Sequence, residues 1–163
     1  MNKLRVIAFI LMIIAPVYAY PGQIGAKAPS FALPDLSGKT ISLEQFNGKV
    51  VFLDFWAPWC VPCRQELPEL DKLYVKYRKD GFEVIAISVD PSEKNVLAFL
   101  KKFPVSIYVL IDKKDEASDT YRVSSLPTGF ILGRDGVIHR VHKGFSTESL
   151  PLYEKEIDAL LKQ

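Results

Sequence analysis

The chain has 163 residues, of which 48% are hydrophobic and 25% charged, with a formal net charge of +2. That is the size and makeup of an ordinary globular protein with one sizeable core. The excess charge sits entirely in the first 19 residues, where Lys3 and Arg5 are two of the 21 basic residues and no acid accompanies them, so the remainder balances 19 basic against 19 acidic residues. A balanced remainder lacks the basic footprint that nucleic-acid binding requires, and no nucleic-acid partner is expected.

The opening MNKLRVIAFILMIIAPVYAY sets Lys3 and Arg5 before an apolar run from Val6 to Ala15, followed by Val17-Tyr18-Ala19. This is the layout of a secretory signal peptide, residues 1–19, cleaved after Ala19. A retained anchor is the alternative, but Pro16 interrupts the run short of the roughly 18 residues that span a bilayer. Either way, residues 20–163 are expected as a single domain in the periplasm or on the outer face of the cytoplasmic membrane, where disulfides persist.

The segment PGQIGAKAPSFALPDLSGKTISLEQFNGK carries short alternating runs, Ser30 to Leu33 and Thr40 to Leu43, around Asp35-Leu36-Ser37-Gly38, and predicts an N-terminal β-hairpin on the domain edge. Val50 to Phe55 is a continuous apolar run, the mark of a central strand covered on both faces. From Cys60, the apolar positions Leu67, Leu70, Leu73, Tyr74 and Tyr77 recur at helical spacing to about Lys79, with Gly81 closing the helix and Pro68 expected to kink it. A second buried strand is predicted over Glu83 to Val89, a helix over Lys94 to Lys102, a third strand over Ile107 to Ile111 and a short helix over Asp115 to Tyr121. Two strands, Thr128 to Leu132 and Val137 to Val141, flank the turn Gly133-Arg134-Asp135-Gly136. An amphipathic helix from Thr147 to Lys162, with Thr147 as its cap, closes the chain. Strands alternating with helices imply parallel crossovers, and the final hairpin adds antiparallel strands, so the class is α/β with a mixed sheet flanked by helices.

Both cysteines lie in FWAPWCVPCRQELPEL, Phe55 to Leu70. A pair this close encloses too short a loop to act as a staple. Cys60 falls at a strand-to-helix junction, where unpartnered backbone N–H groups and the positive end of the dipole favour a thiolate. Cys63 falls on the same helix face within reach of a disulfide, and Pro62 suits the first turn. The pattern predicts a redox-active disulfide that opens and closes with little backbone movement. Zinc would need two more ligands, and His139 and His142, read as ordinary strand residues, point to opposite faces at a spacing of three. Covalent haem would need His at position 64, which is Arg. Asp54 is expected beneath the pair and Glu66 on the helix face beside it, two carboxylates that oppose thiolate formation and can carry the exchanged proton. Both suit a reductant.

The motifs DFWAPWCVPC (Asp54 to Cys63), RQELP with Glu66 and Pro68, SLPT (Ser125 to Thr128) and the leading APSFALPDLSGKTISLEQFNGK resemble the thioredoxin superfamily, and within it the exported TlpA- and ResA-like thiol:disulfide oxidoreductases. The resemblance implies a thioredoxin-like fold with a central αβ insertion between Ser88 and Asp112. It implies that Cys60 is the nucleophile and Cys63 the resolving cysteine, with Asp54 or Glu66 managing the proton. It implies a cis Leu126–Pro127 bond opposite the pair, and substrate contacts from Trp59, Pro62, Leu126 and Thr128. No cofactor beyond the Cys60–Cys63 couple and no metal is implied. The implied partners are proteins with disulfides, such as apocytochrome c or proteins with copper-site cysteines, and a membrane thiol carrier that supplies electrons.

Three other activities compete with this one. A disulfide-forming oxidase of the same fold would reverse the electron flow. A peroxiredoxin would need Pro and Thr or Ser seven and three residues before the cysteine, where this chain has Leu53 and Ala57. A copper-binding chaperone would use both cysteines with His139 or His142.

Overall fold

The computed structural model describes residues 22–163; the expected signal peptide lies outside the described residues. A two-stranded antiparallel hairpin, β1 (Ala32–Pro34) and β2 (Thr40–Ser42), comes first. Its turn is organised by Asp35, whose carboxylate accepts the backbone N–H of Ser37 and of Lys39 at 2.8 and 2.9 Å. The hairpin lies against the sheet edge, where Asp35 bridges to Leu110.

The main sheet contains β3 (Val50–Trp56), β4 (Phe82–Ser88), β5 (Tyr108–Ile111), β6 (Thr128–Leu132) and β7 (Ile138–Lys143), in the spatial order β5-β4-β3-β6-β7. β3 pairs in parallel with β4 and antiparallel with β6, which makes the sheet mixed and β3 its centre. Every residue of β3 is buried, which explains why all of it but Asp54 is apolar: both faces are packed.

The two faces collect different partners. Val50, Phe52 and Trp56 of β3 join the core under α1 (Val61–Tyr77), α2 (Glu93–Lys102) and α4 (Leu150–Leu161). Val51, Leu53 and Phe55 join the core under the hairpin and α3 (Glu116–Thr120). Strand alternation therefore puts Asp54 on the α1 face, between Phe52 and Trp56. Each large apolar side chain buried here contributes about 1.5–3 kcal/mol.

The helix predicted from Cys60 is present and runs through Pro68 to Tyr77. The carbonyl that would have accepted the missing Pro68 N–H belongs to Arg64, on the exposed side of the helix. A 3-10 turn, Arg78–Asp80, leads into Gly81, which adopts a left-handed φ of 96° as a closing glycine does. The insertion between Ser88 and Asp112 contributes α2 and the edge strand β5.

Two expectations need correction. Thr147 does not cap the last helix: Thr147–Ser149 form a 3-10 turn, Ser149 precedes α4, and neither start has a side-chain cap; in the first turn of α4, Pro151 removes one orphan N–H. His139 and His142 are also not ordinary strand neighbours. Ile131 faces Arg140 and Leu132 faces Ile138, so His139 is the extra residue of a bulge, and His142 is engaged with α4.

Candidate active site

Cys60 is the N-cap residue of α1, and its Sγ accepts the backbone N–H of Cys63 at 3.3 Å. Pro62 occupies the first turn, as the spacing predicted. The two cysteines form a disulfide with their Cα atoms 5.3 Å apart. Cys60 is 7% exposed and Cys63 fully buried, so an incoming thiolate reaches Cys60 and the electrons leave onto Cys63.

The Leu126–Pro127 bond is cis. Leu126 is half-buried and shares with Cys60, Trp59 and Pro62 a groove of about 560 Å³ that also receives Val89 and Val123. On the other side of Trp59, a second groove of about 510 Å³ is bordered by Pro58, Arg64 and the α2 residues Phe99 and Lys102. Trp59, 65% exposed, stands between the two. Thr128 is buried, and its hydroxyl donates to the Ser125 carbonyl at 2.7 Å. Its side chain shapes the turn before β6, and its backbone stands in register with Phe55 on one side and Lys143 on the other.

Asp54 and Glu66 are both buried, at 0% and 1% exposure. Among the described residues, neither Asp54 oxygen has a hydrogen-bond partner, and Glu66 Oε2 has none. Burial pushes the Asp54 carboxyl well above its ordinary range, and the Glu66 charge adds to that. Burial likewise pushes Glu66 up to about 7, opposed by a hydrogen bond that Tyr153 donates to Oε1 at 2.9 Å. Two carboxyls share one low-dielectric site, and the pair gives up its protons in two steps. Among the described residues, no Lys or Arg pairs with either.

Sequence reasoning did not single out Tyr153, His142 or Glu156. The His142 ring lies 4.6 Å from that of Tyr153, and its Nε2 is 2.7 Å from Glu156 Oε2, which with Arg140 completes a cluster behind the tyrosine. A signal was available: Tyr153 falls in the apolar stripe of α4 with Ile157 and Leu160, and a buried tyrosine hydroxyl needs a partner.

A reactive cysteine pair capping the first long helix, on a mixed sheet beside a cis-proline, defines the thioredoxin-like class of thiol–disulfide enzymes. The comparisons agree. The AhpC/TSA family model matches residues 24–141. A thiol-disulfide oxidoreductase, ResA, of Bacillus thuringiensis subsp. konkukian is 43% identical over 136 residues, 83% of this chain and 79% of that one. The crystal structure of a Chlorobium tepidum protein, described as thiol:disulfide interchange protein DsbE, superposes with a TM-score of 0.82 at 37% identity, covering 85% of this chain and 98% of the other. A thiol-disulfide oxidoreductase from Bacteroides fragilis aligns with a TM-score of 0.70 at 30% identity, covering 81% and 99%. The chain belongs to the thioredoxin-like AhpC/TSA family and is a thiol–disulfide oxidoreductase, with disulfide-containing proteins as its substrate class.

Proposed function

We propose that this protein is an exported reductant of protein disulfides, a single domain acting outside the cytoplasmic membrane in cytochrome c maturation or metal-site assembly. The observation that carries the direction is the pair of buried carboxyls on the disulfide side of the sheet, with no ion pair to a cation among the described residues. Negative charge there disfavours the thiolate of the reduced state. A strongly oxidising pair, by contrast, stabilises that thiolate heavily.

In the reductive half-reaction the Cys60 thiolate attacks a substrate disulfide. A Cys60–substrate bond forms, and the first substrate sulfur leaves as a thiolate. Glu66 or Asp54 takes the proton of the Cys63 thiol, Cys63 attacks Cys60, and the substrate's second sulfur departs as the internal disulfide closes. Trp59, Pro62 and the backbone at Leu126 border the groove in which the substrate segment lies. No cofactor beyond the couple takes part, and a membrane thiol carrier restores the dithiol. Apocytochrome c is the substrate we favour.

Equilibration with thiol–disulfide buffers at neutral pH tests the direction. A reduction potential between about −270 and −200 mV is expected, and a value near −120 mV would make the protein an oxidant. Cys63→Ser, supplied with reductant in whole cells, should accumulate a mixed disulfide through Cys60 whose partner identifies the substrate.

A further inference from the structure

α4 delivers one polar atom into the α1-side core, the Tyr153 hydroxyl. The ring that carries it is held on three sides, with centroids 5.2 Å from Phe52, 4.6 Å from His142 and 6.3 Å from Phe145. It is 1% exposed, and its hydroxyl donates to Glu66 Oε1 at 2.9 Å. Of the four carboxyl oxygens of Asp54 and Glu66, that one alone has a hydrogen-bond donor among the described residues. Two like charges in one dry site cannot both form easily, so whichever carboxyl receives the donor ionises first and the bare one keeps its proton.

We propose that Tyr153 is a positioning residue for the thiol–disulfide reaction: its hydroxyl makes Glu66 the carboxyl that exchanges the proton and leaves Asp54 as the one that stays protonated. This rests on the reading that these carboxyls manage the proton.

The surroundings support the assignment. Burial, the Glu66 charge and the hydrogen bond to Glu66 raise the tyrosine's own ionisation, so it acts as a donor throughout the working range. On β7 and α4, His142 and Glu156 pair with each other, and Arg140 joins Glu156 at 2.9 Å, so the charges behind the ring answer one another. Cys60 and Cys63 of α1 share one core cluster with Tyr153, and Asp54 of β3 lies on the same face of the sheet. When an external dithiol opens the disulfide, its thiolate attacks Cys60, the Cys60–Cys63 bond breaks, and Cys63 leaves as a thiolate that takes its proton from Glu66. In the reverse direction Glu66 accepts that proton.

The test compares the oxidised wild type with Tyr153→Phe, Glu66→Gln and Asp54→Asn, each first confirmed folded by its thermal transition. The protonated-carboxyl infrared band, followed against pH and assigned by its loss in Glu66→Gln, gives the Glu66 midpoint directly. The rate of disulfide opening by dithiothreitol, corrected for the dithiothreitol thiolate fraction and followed by tryptophan fluorescence, gives the functional profile. Losing a hydrogen bond to a charged group should move the Glu66 midpoint in Tyr153→Phe upward by about one to two pH units, and the rate profile should move with it. An unmoved Glu66 midpoint in folded Tyr153→Phe overturns the role of Tyr153, while a changed rate profile in Glu66→Gln would leave the carboxyl reading standing. A wild-type rate profile in Glu66→Gln overturns both.

Discussion

On the face covered by the hairpin and α3, Tyr121 packs against Phe55 and Phe130 and donates its hydroxyl to the Pro29 carbonyl at 2.7 Å. On the opposite face, Tyr153 packs against Phe52 and donates to Glu66 at 2.9 Å. The residue type, the depth and the bond length are nearly matched, and the acceptors differ in kind. A backbone carbonyl does not titrate, so the Tyr121 bond fastens the segment before β1 to the sheet alike at every pH below the tyrosine's own ionisation. A carboxyl does titrate, so the Tyr153 bond is worth more when Glu66 is charged. The same chemical device is a fastener on one face and a bias on a proton equilibrium on the other.

The largest test of this contrast is the dependence of stability on pH. Glu66 is raised from 4.5 to about 7 on folding, so between those values the folded state binds more protons than the unfolded one. Its contribution is full below about pH 4.5 and is lost as pH rises past about 7. The oxidised wild type should lose about 3 kcal/mol relative to Glu66→Gln over that interval, measured by denaturant titration at several pH values. A flat difference between the two proteins would mean that Glu66 is not buried as described.

Next in size is Asp54→Asn. Among the described residues the native carboxyl has no hydrogen-bond partner, and it is strained toward its neutral form, so the neutral isostere should stabilise the protein at pH 8 by on the order of 2 kcal/mol. A destabilised variant would point to a hydrogen bond that Asp54 makes and the structure lacks. The smallest effect belongs to Tyr121→Phe, which should cost about 1 kcal/mol at every pH from 5 to 9 and leave the exchange profile in place. A pH-dependent cost there would erase the distinction between the faces.

Much of this arrangement is legible in the sequence because its determinants are close together in the chain. The run Val50 to Phe55, Cys60 four residues after Trp56 and the helical spacing from Leu67 to Tyr77 place strand, junction and helix without long-range information. The burial of Asp54 follows from its place in an apolar strand. What escaped depends on contacts made across the fold. Tyr153 and Glu66 are 87 residues apart, and His142 reaches Glu156 only because a bulge at His139 resets the side-chain alternation of β7. Thr147 was a reasonable cap on residue type, but the 3-10 turn moved the helix start past it. Local patterns locate the cysteines and the two acids, and only the topology shows what is behind the acids.

Gly129 stands in register with Asp54, and a Cβ there would fall 2.6 Å from the Phe52 ring, the same ring that supports Tyr153. Any side chain at 129 would have to displace that ring, and the push would be felt at a hydroxyl the substitution never touches. The proton chemistry of the site is thereby tied to the absence of a side chain at position 129.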